Sequence, residues 1–330
     1  MKDLLVRINP ISEFPIVHSD RLFGAICVAI KTVHGEEKLV EMLKNFEKDP
    51  PFLLSSIFPC VKQEYKQSQE QLKQSHGNSI IYFLPKPIED IQKINDHRIY
   101  IENYKKLKDV KYVSDDIFND WTNGKINENH ILKNMDKYKV KAGLLFLKEK
   151  KLQFDIVTCD TPRNRINRIN NLSEDMFYFN GNTYDNMNLF FIVRLYDHKY
   201  EELLNNALNF LGDYRGFGSD LSVGKGKFEI EEISEKKIIK SLKDNKRFVT
   251  LSRYIPSTDE INVFKLRKNA YYEIVSKRGM ISEGKPKKQA HFFSEGSTFP
   301  NQKNIYGRIL YVHEKSVEYG FAFNIGIAYD

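Results

Sequence analysis

Leu4, Val6 and Ile8 alternate with Leu5 and Arg7, which predicts a strand over residues 4–8. Pro10 and Pro15 then interrupt regular structure. From Ser19 the period changes. Leu22, Phe23, Ile26, Cys27 and Ile30 fall on one helical face, with Ser19 or Asp20 available as N-cap. A second helical pattern follows at Leu39, Met42, Leu43 and Phe46. Pro50-Pro51 ends it, because proline cannot continue a helix.

Residues 62–76, rich in Lys, Gln, Glu and Ser, read as an exposed loop or short surface helix. An apolar run from Ile80 to Leu84 meets Pro85-Lys86-Pro87. Residues 88–150 are lysine-rich with scattered aromatics and read as an insertion with helical pieces. A strand is predicted over 152–158 and an arginine-bearing loop over 161–171. The opening pattern then recurs. Residues 189–196 read as a strand, and Leu203, Leu204, Ala207, Leu208 and Leu211 repeat the offsets of the first helix. A Gly-rich loop spans 212–226, and Phe228 and Ile230 alternate with Glu229 and Glu231 in a closing strand.

Strand–helix–strand twice over predicts an α+β fold of the ferredoxin-like (RRM-like) type. The first domain spans 1–235, with insertions over about 60–180. Residues 234–246 are charged and read as a linker. Short strands at 248–254, 271–276, 305–312 and 321–328 predict a second, mostly β domain over 247–330.

The 330 residues, 41% of them hydrophobic, suffice for two ordinary domains. With 51 basic and 44 acidic residues the net charge is +7, which favours an anionic partner such as nucleic acid, though only modestly. Cys27, Cys60 and Cys159 lie far apart with no CxxC pair, so no zinc-finger spacing exists and no metal or other cofactor is expected. Sparse cysteines and the lack of a signal-like or membrane-length apolar run predict a cytoplasmic protein with no membrane partner.

Gly212, Gly216, Gly218, Gly224 and Gly226 put five glycines in 15 residues between a helix and a strand. Glycine tolerates positive φ and close backbone approach, and exposed N–H groups in such loops form anion-binding concavities. Tyr214, Arg215, Phe217, Lys225 and Lys227 add stacking faces and positive charge, the combination used for single-stranded nucleic acid. A tight helix-to-strand connection needs the same glycines. A P-loop is excluded, since five residues separate Gly218 from Gly224 and Lys225 is followed by Gly226. A dinucleotide fingerprint fails because Leu221 stands where its third glycine belongs.

Arg163, Arg165 and Arg168 fall within six residues with no acidic neighbour, next to Asn164 and Asn167. Guanidinium groups match phosphate geometry and stack on bases, so this segment is a second candidate RNA contact or, alternatively, a solvated loop face. His18-Ser19-Asp20-Arg21 is the best catalytic-looking cluster. His18 can serve as a general base in RNA cleavage, but the local sequence places no second acid or base beside it. Its reading is therefore structural, next to a capping Ser19 or Asp20.

Four segments then occur in order: residues 18–25 (HSDRLFGA), 83–87 (FLPKP), 216–228 (GFGSDLSVGKGKF) and 293–299 (FSEGSTF). Together they resemble the RAMP-superfamily subunit of type III-A CRISPR (Csm) complexes that binds the 5′ tag of the guide RNA (crRNA). Residues 251–256 and 272–279 are similar to the C-terminal half of the same family. The resemblance covers nearly the whole chain but little of 62–76 and 88–150. It implies two ferredoxin-like domains, a β-hairpin thumb and the RAMP Gly-rich loop. It also implies three partners: the crRNA, a large polymerase/cyclase-type subunit, and the backbone RAMP subunit that cleaves target RNA. No nuclease activity is implied for this subunit; the rival is a RAMP endoribonuclease that processes precursor crRNA with His18 as base. The resemblance carries Gly216, Gly218, Gly224 and Gly226 over as the loop that approaches RNA, with Lys86, Arg253, Phe293 and Ser297 as further contacts.

Overall fold

The computed structural model describes residues 1–63, 80–89, 97–167, 169–170, 172–218, 221–240, 245–267, 270–279, 286–313 and 316–328. In chain order the first half holds β1 (Lys2–Pro10), α1 (Ser19–His34), α2 (Glu36–Phe46), β2 (Phe52–Leu54), β3 (Phe58–Lys62), β4 (Ile80–Pro85), α3 (His97–Lys108), β5 (Tyr112–Ser114), α4 (Asp115–Thr122), α5 (Glu128–Lys133), β6 (Tyr138–Lys141), β7 (Leu144–Leu147), β8 (Asp155–Ile166), β9 (Ser173–Asp185), β10 (Met187–Leu195), α6 (Tyr200–Phe210) and β11 (Phe228–Ser234). The second half holds β12 (Arg247–Thr250), α7 (Thr258–Arg267), β13 (Ile274–Lys277), β14 (Ala290–Phe293), β15 (Thr298–Pro300), β16 (Gly307–His313), β17 (Ser316–Phe321) and β18 (Asn324–Ile327).

The alternating apolar residues of β1 place it inside the main sheet, whose strand order is β11-β1-β10-β3-β4-β5-β7-β6. It pairs antiparallel with β10, Leu4 opposite Val193, and with β11, Ile8 opposite Ile230. The two helices with matching offsets, α1 and α6, pack against each other. Leu22, Phe23, Ile26 and Ile30 of α1 and Leu204, Ala207 and Leu208 of α6 are buried in the common core. The mixed α+β character is as expected. Around the stretch read as an insertion, β4, β5, β7 and β6 extend the main sheet at one edge, and Trp121 on α4 is buried.

Three expectations need correction. Neither Ser19 nor Asp20 caps α1; the helix begins at Ser19, with His18 as N-cap and no side-chain capping bond. The predicted loop over 161–171 is largely strand, because β8 runs to Ile166 and pairs with β9 in a long two-stranded ribbon. The region read as a linker is anchored. Ile238 is buried, its carbonyl accepts from Asn119 Nδ2 at 2.9 Å, and Asn119 Oδ1 accepts from the Lys240 N–H at 2.7 Å. The predicted polar segment at 62–76 lies mostly outside the described residues.

The second half is mostly β, as its pattern indicates. Among the described residues it holds a three-stranded sheet, β15-β12-β18, two hairpins, β13-β14 and β16-β17, and the helix α7. A capping box starts α7: Ser257 Oγ accepts from the Glu260 N–H, and a Glu260 carboxylate oxygen accepts from the Ser257 N–H. The halves share one core. Tyr319 of β17 stacks on Phe23 at 4.9 Å between ring centroids, and its hydroxyl accepts from the Leu54 N–H at 2.9 Å.

Candidate nucleic-acid interface

Helix α6 ends in a single π turn, Leu211–Arg215, a feature that recurs at functional sites. Gly216 follows at φ 79°, Gly218 at 115°, Gly224 at 83° and Gly226 at 72°, all in the region that side chains disfavour. Two of the four close the loop on itself. The Phe217 N–H donates to Gly226 O at 2.8 Å, and the Gly226 N–H donates to Glu13 O at 2.8 Å. A Cβ at Gly216 would lie 2.5 Å from Gly226 O, and one at Gly226 would overlap the Phe217 carbonyl. Gly216 and Gly226 are therefore needed for close approach within the chain, and both are buried. Phe217 is no exposed stacking face either. It is buried, stacked on Phe228 at 4.9 Å and edge-on to Phe14 at 5.8 Å. Gly218 is exposed, and the space a Gly224 side chain would occupy is open.

The loop forms one wall of a groove of about 610 Å³ whose other walls are α1 and the second half of the chain. Arg215, Gly216, Phe217 and Gly218 face Arg21 and Lys31 of α1 and Lys277 and Lys287 beyond them. Among the described residues Arg21, Arg215 and Lys287 have no ion-pair partner, and Arg21 and Arg215 are exposed. Lys31 is paired with Glu36. The groove floor is compensated: Lys277 Nζ donates to Asp20 Oδ2 and Glu318 Oε2, each at 2.6 Å, while Arg253 approaches Asp20 at 3.4 Å. Burial pushes the Asp20 carboxyl up, but the charges of Lys277 and Arg253 and the Lys277 hydrogen bond hold it below its ordinary value. Tyr214, 81% exposed, leans on Phe210 beside the groove and offers its outer face. Lys225 is not an open charge, because its ammonium is paired with Glu13.

Several predicted contacts lie in the seam between the halves instead of on a surface. His18 Nδ1 is 2.8 Å from Glu295 Oε1, which also accepts from Ser56 Oγ, and Ser56 Oγ accepts from the Ser19 N–H at 2.9 Å. Burial raises the Glu295 carboxyl, yet the hydrogen bond and charge of His18 and the bond from Ser56 bring it below its ordinary value. Lys86 is 3.5 Å from Glu128, and a Cβ at Gly296 would overlap the Lys86 carbonyl oxygen. Ser297 is fully buried, Phe293 sits half-buried against Tyr254 and Phe299, and Arg253 is tied to Asp20 with its N–H on Ser19 Oγ. Of Lys86, Arg253, Phe293 and Ser297 only Arg253 ties the halves through its side chain; Lys86 pairs within the first half and Phe293 packs within the second. Arg163 and Arg165 stand on β8, and Arg168 lies outside the described residues. The groove cations Arg21 and Lys287 escaped sequence reasoning. Arg21 sits inside the HSDR cluster and Lys287 in the basic run at 285–288, but nothing local says that they face each other.

Residues 243–327 match the family model described as the CRISPR Csm4 C-terminal domain. The whole chain is 25% identical over 334 residues to the CRISPR system Cms protein Csm4 of Thermococcus onnurineus (strain NA1), covering 99% of this chain and 97% of that protein. Residues 243–327 thus match a Csm4 C-terminal domain, and the chain is similar to a Csm4 protein over nearly its whole length. Its fold is that of a chain in the crystal structure of the Csm3-Csm4 subcomplex in the type III-A CRISPR-Cas interference complex, with a TM-score of 0.67, 19% identity and 99% of each chain covered. A chain in the Csm1-Csm4 cassette in complex with pppApA matches with a TM-score of 0.59 and 19% identity, covering 100% of this chain and 99% of that one. Among the described residues no three His, Cys, Asp or Glu side chains gather to hold a metal ion. No helix among them is long and apolar enough to cross a membrane.

Proposed function

We propose that this chain is a Csm4-type, non-catalytic crRNA-binding subunit of a type III-A CRISPR effector complex. It caps the 5′ tag of the crRNA and bridges the large polymerase/cyclase-type subunit to the backbone RAMP subunit. In this reading the first half is the ferredoxin-like (RRM-like) domain of a RAMP protein and the second half a mostly β companion. The observation that carries it is the groove, where Arg21, Arg215 and Lys287 converge from three separate elements without ion-pair partners among the described residues, beside an exposed Tyr214. Unpaired cations near a stacking ring are what a single strand requires. The partners follow from relatives whose solved structures are Csm3-Csm4 and Csm1-Csm4 assemblies. The test is co-purification with those partners and RNA titration across salt. Retention of a short RNA of defined 5′ end supports the reading, and salt-independent or absent binding overturns it.

A second reading, a RAMP endoribonuclease, draws on the His18–Glu295 pair, since a carboxylate that orients an imidazole is how a general base is held. His18, however, does not line the groove. Incubating the purified chain with repeat RNA separates the two, because metal-independent cleavage is expected from the endoribonuclease alone.

A further inference from the structure

The β8–β9 hairpin is a two-stranded sheet of its own, separate from the main sheet. At its base Phe154, Ile156, Tyr184 and Met187 pack in a small cluster with Phe83 and Phe146. Beyond that base, a second attachment runs through the segment at 11–15. Phe14 exchanges both backbone hydrogen bonds with Asn182 of β9, each at 2.9 Å. Glu13 is the hub. One carboxylate oxygen accepts from Thr161 Oγ1 of β8 at 3.3 Å, the other pairs with Lys225 of the Gly-rich loop, and its carbonyl accepts from the Gly226 N–H. The same segment meets the loop on both flanks: the Lys227 N–H donates to Ser12 Oγ at 2.9 Å, and Pro15 lies in van der Waals reach of a Cβ at Gly218. Phe14 also seats its ring against Phe217 and Phe228.

We propose that Glu13 is a positioning residue that joins the Gly-rich loop and the β8–β9 hairpin into one RNA-binding surface, an inference that rests on the RNA-binding reading above. Glu13 itself touches no RNA; it acts through Lys225 on one side and Thr161 on the other. A long ribbon attached only at its base pivots, and every phosphate contact it makes must then offset its own ordering entropy. Pinned by Glu13 and Phe14, it meets the strand already set relative to the loop. Because coupling is reciprocal, a strand seated on the loop favours the seated hairpin and the reverse.

The test is a double-substitution cycle on the full-length chain, read by anisotropy of a fluorescein-labelled single-stranded RNA of repeat sequence. In the parent, Arg163→Ala with Arg165→Ala weakens binding. In the Glu13→Gln background the same pair changes binding far less, with the ratio of the two losses about fivefold or more. Thr161→Val, which leaves the Glu13–Lys225 pair in place, reproduces the smaller loss, and Thr161→Ser restores the parent's. If Glu13→Gln lowers the melting temperature, the cycle is read in Thr161→Val. Equal losses in every background overturn the coupling while leaving RNA binding intact. If neither the hairpin pair nor Arg215→Ala alters binding in the parent, the RNA-binding reading falls, and the coupling falls with it.

Discussion

His18 Nδ1 and Glu295 Oε1 stand 2.8 Å apart across 277 residues of chain, and with Ser56 they pin the start of α1 to the loop after β14. Nothing in the sequence around His18 supplies this partner. It comes from the second half of the chain, and it makes His18 a clasp residue. His18→Ala is therefore expected to lower stability by about 1–3 kcal/mol, the cost of leaving a buried acceptor short of a donor. Target cleavage by the assembled complex is expected to remain intact. Denaturant unfolding together with a cleavage assay checks both; lost cleavage in a complex that still assembles would refute the structural role.

The seam carboxylates set an acid limit. Asp20 and Glu295 titrate below their ordinary values of 3.8 and 4.5 in the folded chain. Each contributes stability that is present above its ordinary value and is lost as the pH falls through the lower folded one. Melting temperature followed from about pH 6 to about pH 3 should fall steeply in the parent. In Asp20→Asn with Glu295→Gln the profile starts lower and is flatter. Parallel profiles would mean that these groups are not coupled to folding.

Lys277 sits between two acids, so removing it strands both. Lys277→Met leaves Asp20 and Glu318 facing each other with Arg253 at longer reach. A loss of about 3–5 kcal/mol is expected for breaking such a buried pair. Lys277→Met with Glu318→Leu should recover part of it, and guanidinium unfolding of the two variants measures the difference.

The four loop glycines divide into two classes. Gly216→Ala and Gly226→Ala drive a Cβ into backbone carbonyls and should lower the melting temperature markedly, with RNA binding lost through local misfolding. Gly224→Ala meets open space and carries only the left-handed penalty of about 1–2 kcal/mol. Thermal melting of the three single variants decides this, and equal losses at 216 and 224 would contradict the loop geometry.

The groove cations are expected to act through charge alone. Arg21→Ala, Arg215→Ala and Lys287→Ala together should leave melting unchanged, because none has an ion-pair partner among the described residues. The log–log salt slope of RNA binding should drop by about 0.7 for each single-strand phosphate contact removed. Lys225→Ala should change the slope less, since Glu13 already compensates that charge.

Local pattern determined much of this protein by itself. Alternation marked β1 and β11, and continuous apolar runs marked the positions of β4 and β10. Matching helical offsets marked α1 and α6, and the glycines between α6 and β11 marked the loop, because these signals are written in the spacing of adjacent residues. Elements lacking a one-sided pattern stayed hidden: β9 and the part of β8 beyond residue 158, β17, and β5 to β7, whose burial depends on neighbours elsewhere in the sheet. The four family-like segments could be read as belonging together, but not how. Only the tertiary structure decided that Gly216 and Gly226 serve each other, that Arg253 is tied to Asp20, and that Arg21, Arg215 and Lys287 face one groove. The physical reason is the same in each case. An ion pair, a backbone close approach or an unpaired charge is a property of two surfaces, and here the two surfaces come from segments up to 277 residues apart.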